Sequence, residues 1–433
     1  MRPGPDHPAG VPCRAGIQAG HNERVIIVNT AIAPNDAVVV AYRRTPIGRA
    51  RKGSLAGERP EDLALAAIRG ALSAVPQVDA AELADAYVGC ALPQGAQGDN
   101  IGRRVMVLAG MDSVPAVTVN RFCASSLQAT AMAAQAIRAG DGDTFLVAGV
   151  ESTTSTPPVV ESPHPAFADT ARRADSIFES GQPWVDPRNS GQLPDVYLSM
   201  GKTAEFVARQ TGTTRYDQDE WALESQHRAQ RAIESGYFAR EVVPVATATG
   251  VVVRSDDGPR PGATLEALAG LKPVFHPSGT VTAGNASPLN DGASALVMMS
   301  ARRADQLGLQ PLARILGSAA SGLSPEIMGL GPVDASRRLL DRLGLSIGDI
   351  DIVELNEAFA AQVVPVVRKL GADPERVNPF GGAIALGHPF GATGARLVGT
   401  LVNGLQTKDG LLGLATLCVG GGQGMAMVVE RLS

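Results

Sequence analysis

Cysteine is scarce in this chain, four residues in 433, and Cys13, Cys90, Cys123 and Cys418 lie far apart. That spacing excludes a disulfide framework, and it holds no CxxC or Cys/His pair suited to a metal. A reduced, cytoplasmic setting without a metal is expected. Aromatics make up only 4% and the formal charge is -5. Stacking platforms and a basic field are both lacking, so no nucleic-acid partner is expected. An apolar leader is lacking too. Met1 to Arg24 mixes Pro, Gly, His and both charge signs, which reads as part of a flexible tail over 1–34 rather than a secretory signal. The C-terminal Glu-Arg-Leu-Ser is not a peroxisomal address. The longest uncharged run, Gly410 to Val429, carries six glycines and Gln423. Two buried strands around a turn suit it better than a membrane span.

What is present is a hydrophobic fraction of 44%, with 49 glycines and 30 prolines. These suit a globular chain with a sizeable core, many tight turns and two or three domains. Short apolar runs alternate with longer helical patterns, the signature of an α/β protein. Strands are expected at 37–41, 86–90, 114–120 and 145–150, with helices at 61–74 and 125–139, the second rich in Ala. From Thr153 the texture changes to Ser, Thr and Pro, followed by helical stretches at 201–210 and 218–235 without an obvious buried strand. Residues 154–285 read as an inserted loop domain. The α/β texture resumes at 293–299. A faint echo links Asp85–Cys90 to Asp351–Asn356, each followed by a Val-Asn pair, Val119-Asn120 and Val377-Asn378. Two related halves sharing one core are therefore expected, with equivalent loops converging on one site.

Four segments carry chemistry. Cys123 falls between a strand and a helix, where unsatisfied N–H groups and the helix dipole favour the thiolate; a small buried hydrophobe is the plain alternative. His388 stands among glycines, ahead of Pro389 at another helix start, and is a better base candidate than His7, His21 or His227. Asn356 and Glu357 end an acidic-apolar strand and also read as a helix cap with an acidic first turn. Cys418 precedes a Gly triplet whose freed N–H groups can face an oxyanion.

These segments, in this order, resemble the thiolases, CoA-dependent acyltransferases. The resemblance runs from about Asn35 to Ser433 and includes Arg44-Thr-Pro-Ile-Gly48, Met200-Gly201, Thr203-Ala204-Glu205 and Gly279-Thr-Val-Thr-Ala-Gly-Asn-Ala-Ser287. It continues through Asn290-Asp-Gly-Ala293, Asn356-Glu-Ala-Phe359, Gly387-His-Pro389 and Cys418-Val-Gly-Gly-Gly422. It implies a five-layered αβαβα core of two similar halves, one formed by 35–153 plus 286–310 and the other by 311–433. Residues 154–285 would be the CoA-binding loop domain. By motif, Cys123 is the acyl-carrying nucleophile, His388 its base and Cys418 the second acid/base. Asn356 holds a water that forms one oxyanion hole with His388; the N–H groups of Cys123 and Gly420 form the other. Ser287 contacts the pantetheine and Arg260 the adenine end. CoA is a substrate, no cofactor is implied, and the partners are CoA and acyl-CoA in a homodimer or homotetramer, away from membranes.

The expected reaction is thiolysis of 3-oxoacyl-CoA to acyl-CoA and acetyl-CoA, or its reversal, by a ping-pong route. Ser199, directly before Met200, stands where short-chain acetoacetyl-CoA enzymes of the family usually carry His, which favours a roomier degradative enzyme. Pro288 and Phe206 also depart from the commoner Gly and Asn. The rivals are a biosynthetic acetoacetyl-CoA thiolase, a decarboxylating ketoacyl synthase of the same fold, and a degenerate relative serving as a lipid-binding scaffold. Cys418 before three glycines argues against the synthase, and the filled catalytic positions argue against the scaffold.

Overall fold

Alternation decides the first half. The computed structural model describes residues 31–157 and 164–433. Its first half runs β1 (Ala37–Arg44), β2 (Gly48–Arg49), α1 (Pro60–Ser73), β3 (Asp85–Gly89) and α2 (Ile101–Leu108). It continues through β4 (Ala116–Val119), α3 (Ser125–Ala139) and β5 (Thr144–Ser152). In β1, Ala37, Val39 and Tyr42 face one core while Val38, Val40 and Ala41 face another, the phase shift falling at a register break between Val39 and Ala41. In β5, Phe145 and Val147 share the first core, and Leu146, Ala148 and Val150 the second. Period-two burial on both faces marks a strand with layers above and below it.

Between β5 and the next core strand come α4 (Thr170–Glu179), α5 (Met200–Thr211), α6 (Arg215–Glu234), a short hairpin of β6 (Val245–Ala246) and β7 (Val252–Val253), and α7 (Leu265–Ala269). The hairpin corrects the strand-free expectation for this stretch: Val245 and Val253 are buried in the core beside α1. Two-residue strands span a single strand period and so never repeat it, and the sequence carries no trace of them. The chain then supplies β8 (Asn290–Ser300), α8 (Ala301–Gln306), β9 (Ala313–Gly322), α9 (Gly331–Leu343), β10 (Ile352–Leu355) and α10 (Ala360–Leu370). It ends with α11 (Ala383–Leu386), α12 (Phe390–Lys408), β11 (Leu412–Val419) and β12 (Gln423–Arg431).

The large sheet is ordered β10-β11-β12-β9-β1-β8-β5-β3-β4. Read outward from the β1/β9 junction, both sides follow one plan. β3 and β4 pair in parallel with Gly89 opposite Val119, and Val353 bridges Val377 in parallel at the other edge. The echo is therefore structural. Helices α3 and α12 pack together between the two halves, α1 and α2 cover the outer face of the first, and α9 covers the second. Five layers result. Among the described residues, no helix is long and apolar enough to cross a membrane. The tail expectation falls largely on residues outside those described.

Candidate active site

Two helix starts meet at the centre. At Gly394 of α12 a Cβ would lie 2.1 Å from the Leu127 backbone nitrogen of α3, and Ala395 N donates to Ser126 Oγ at 2.9 Å. Only a glycine permits that approach. It brings the turn before α3, which carries Cys123, beside the turn before α12, which carries His388. The Cys123 elbow is tight: Phe122 has φ +44, Asn120 Oδ1 accepts from Phe122 N at 2.8 Å, and Ser125 Oγ accepts from Arg121 N at 3.0 Å.

His388 is 1% exposed. Its Nδ1 lies 2.7 Å from Thr393 Oγ1, whose hydroxyl donates to Pro389 O at 2.9 Å. That hydroxyl has one proton and has spent it, so it accepts from Nδ1–H and Nε2 keeps the lone pair. Asn356 Nδ2, 3.2 Å from Nε2, is then the donor in the only arrangement that satisfies both groups. Asn356 Oδ1 is buried without a partner, so it can hold a water near the imidazole. Burial, helped by the Arg396 charge, pushes the imidazole down to about 3. His388 rests neutral.

The thiols rest neutral as well. Burial pushes Cys123 up to about 12, against the opposing pull of backbone N–H groups of Gly420 and of Cys123 itself. Burial thus acts against the thiolate that the helix start would favour, while the two N–H groups act for it. Those two N–H groups address the sulfur, where an acyl oxygen bonded nearby would develop charge. Cys418 is fully buried in β11 and pushed upward by burial and by its neighbour Cys123. The turn after it needs glycine at Gly422, where φ is +82 and a Cβ would meet Leu323 O at 2.4 Å.

The helix-cap alternative for Asn356 and Glu357 is not what forms. Glu357 is buried and accepts from Trp221 Nε1, Ser225 Oγ, Asn378 Nδ2 and Ile384 N, while α10 begins only at Ala360. Ser287 is stapled to this loop, its N and Oγ both donating to Ala358 O at 3.0 and 3.1 Å. Ser199 and Met200 start α5 and are exposed. They directly follow Leu198, which is buried in an apolar cluster with Phe206, Phe178 and Ile327, and Met328, next to Ile327, packs on Cys418. Arg260 is largely exposed, and partial desolvation of its guanidinium, with the nearby Arg49 charge, lowers it from its ordinary value. Two like charges so placed suit an anion.

Met328 escaped the sequence reading because its contact with Cys418 arises only from a chain crossing, and Thr393 because a helix-borne Thr five residues past His388 carries no mark of its hydrogen bond to the ring. Glu151 escaped it too: buried, it accepts from Ala91 N, Leu92 N, Gln97 Nε2 and Gly391 N, tying the start of α12 to β5. Among the described residues no cluster of His, Cys, Asp and Glu could hold a metal ion.

Comparison with known proteins agrees on one family. A model described as "Thiolase, N-terminal domain" matches residues 37–302, and "Thiolase, C-terminal domain" matches 309–431. The chain is 47% identical to the "Beta-ketoadipyl-CoA thiolase" of Pseudomonas knackmussii over 90% of its length and 97% of that protein's. It is 42% identical to the "3-ketoacyl-CoA thiolase" of Saccharophagus degradans, covering 93% and 100%. The dimeric peroxisomal thiolase of Saccharomyces cerevisiae superposes with a TM-score of 0.84 at 35% identity, covering 93% of this chain and 98% of that one.

Proposed function

The chain belongs to the thiolase family, and from that premise we propose that its 3-oxoacyl-CoA thiolysis is degradative and runs through Cys123, His388, Cys418 and Asn356. The enzyme is an acetyl-CoA C-acyltransferase that cleaves 3-oxoacyl-CoA. The observation that carries the site assignment is the pair of partners on the buried His388 ring, Thr393 at Nδ1 and Asn356 at Nε2, which fits Nε2 as a neutral base.

The steps follow from that base. His388 Nε2 takes the Cys123 proton as Sγ attacks the C3 carbonyl of the substrate, and the N–H groups of Cys123 and Gly420 hold the oxyanion. The C2–C3 bond then breaks, leaving the acyl group on Sγ and the enolate of acetyl-CoA. The imidazolium and the Asn356-held water face the enolate oxygen, and Cys418 delivers its thiol proton to C2. After acetyl-CoA departs, the Cys418 thiolate takes the proton of incoming CoA, whose sulfur attacks the thioester. Acyl-CoA leaves, and His388 returns its proton to Cys123. Ser287 supports the pantetheine, and the Arg49–Arg260 pair supports the phosphate-bearing end, with 154–285 as the CoA-binding segment inserted in the first half.

Ser199 in place of a bulkier His supports acyl groups beyond acetyl. The 47% relative, named for a ketoadipyl substrate, supports a second reading within the same activity, a six-carbon acyl group ending in a carboxylate. Initial rates on acetoacetyl-CoA, 3-oxohexanoyl-CoA, 3-oxoadipyl-CoA and 3-oxooctanoyl-CoA test both. A degradative enzyme has higher kcat/KM on the longer substrates; a clear preference for acetoacetyl-CoA replaces this reading with the biosynthetic one. A homodimer in the cytoplasm completes the proposal.

A further inference from the structure

Behind the imidazole lies a pair of buried charges that none of these steps uses. Thr393 and Asn356 are the two side chains that hold the His388 ring. Arg396 follows Thr393 by three residues on α12, and Glu354 of β10 precedes Asn356, just past the strand's end, by two, so each is the next side chain along the same face. Arg396 Nη1 lies 3.2 Å from Glu354 Oε2, and the side chains are 3% and 1% exposed. That single bond is all they share. Glu354 Oε1 and Arg396 Nη2 are both buried without a partner.

The charged groups around them are far better satisfied. Arg44 binds Glu241 at 2.7 Å and Asp256 with two nitrogens, at 2.7 and 3.0 Å. Glu241 also accepts from Thr400 and Asn403. Glu357 accepts four hydrogen bonds, Tyr237 OH donates to Thr400 O, and Tyr42 OH reaches Arg396 O. A buried ion pair joined by one bond does not repay its desolvation, and an apolar pair of similar volume serves a fold better. Stability does not account for it. Position does: the Arg396 charge disfavours an imidazolium at His388, and an ionised Glu354, 3.2 Å from Arg396, would offset that charge.

We propose that Glu354 and Arg396 are a positioning pair for His388, the carboxylate offsetting the guanidinium so that the imidazole can take and hold the Cys123 proton. The inference rests on the reading of His388 as the base. Burial, opposed by Arg396 and reinforced by Glu241 and Glu357, pushes the Glu354 carboxyl up to about 8. Above that pH the carboxylate forms, Arg396 is neutralised and His388 accepts a proton more readily. Cys123 acylation should therefore rise with pH through that region.

Single-turnover transfer of label from acetyl-CoA to Cys123, followed from pH 6 to 10 with Tm recorded for each variant, tests this. Glu354→Gln leaves Arg396 uncompensated at every pH, so acylation should match wild type near pH 6, fall at least tenfold below it above pH 8 and lose the alkaline rise, with little change in the acetyl-CoA concentration giving half-maximal rate. Glu354→Asp keeps the charge and should keep the rise. The doubly neutral, near-isosteric Glu354→Gln/Arg396→Gln variant is expected to fold even where a single variant does not. It should acylate faster than Glu354→Gln, with a flat profile. A double variant retaining the wild-type rise, or a Glu354→Gln variant matching wild type in rate and profile, overturns the pair. Failure of wild type to acylate Cys123 instead overturns the reading on which the pair rests.

Discussion

At the scale of single residues, the site holds its nucleophile and base neutral until substrate arrives. A thiol near 12 and an imidazole near 3 do not exchange a proton spontaneously, so the empty enzyme carries little thiolate. Proton transfer becomes favourable as the developing oxyanion is met by the N–H groups at Cys123 and Gly420, which act in a water-poor site. A brief exposure to labelled acetyl-CoA should leave one thioester, on Cys123; label on Cys90 or Cys418 would contradict the assignment. Cys418→Ala should still accept that acetyl group, while exchange of the acetyl-CoA methyl protons with deuterated solvent collapses. Wild-type exchange in that variant would mean another group moves the α-proton. Ser199→His tests the acyl end. A methylene buried in an apolar tunnel is worth about 0.8 kcal/mol, so the variant should lose the severalfold gain per early carbon and spare acetoacetyl-CoA. An unchanged chain-length profile would show that Ser199 does not line the acyl path.

At the scale of elements, position depends on close backbone approaches more than on side-chain choice. Gly149 of β5 has room for no side chain: a Cβ would sit 2.3 Å from Gly391 O and 2.8 Å from Ala392 Cα, both in α12. Neither obstacle is a flexible side chain, so Gly149→Ala must push the helix start that follows His388. Overpacking of this kind costs about 1–3 kcal/mol. Urea unfolding should show that loss, and kcat should fall beyond it because the His388 turn moves. Unaltered stability and kcat would mean that the helix adjusts without disturbing the site. The strands and helices with a strong period were legible in the sequence. Ser125–Ala139 was read with its observed ends, and the run 410–429 divides at Gly420–Gly422 as expected. β9, Ala-Arg-Ile-Leu-Gly-Ser-Ala-Ala-Ser-Gly, went unread because its small residues do not alternate in polarity. The catalytic cysteines, His388 and Asn356 were legible through their motifs. Thr393 was not, since a helix-borne Thr reads as ordinary without the local turn that aims it at the ring, nor were Glu151 and the Glu354–Arg396 pair, which meet the site only where α12 crosses the sheet.

At the scale of the whole molecule, the two halves differ at their outer edges. The second half closes its edge with the 377–378 segment, where Asn378 N donates to Val353 O and Asn378 Oδ1 accepts from Leu355 N. The first half ends in β4, which among the described strands pairs only with β3. Val117 on that edge is 39% exposed and Phe122 just beyond it is 43% exposed, with Val107 and Leu108 also open on α2. An uncovered edge strand with apolar neighbours is a template for pairing, and antiparallel pairing of β4 with its twin about a two-fold axis satisfies both copies at once. Such a contact would rest on the residues leading directly into the Cys123 elbow, so assembly and activity should be linked. Sedimentation at micromolar concentration should give a dimer for wild type. Val117→Asp would bury a carboxylate at that contact at a cost of several kcal/mol, and each 1.4 kcal/mol is tenfold in dissociation. Dimer affinity should therefore weaken at least a hundredfold, with thiolysis falling as monomer accumulates. A Val117→Asp protein that stays dimeric and fully active would place the interface elsewhere, and a monomeric, active wild type would remove the need for one.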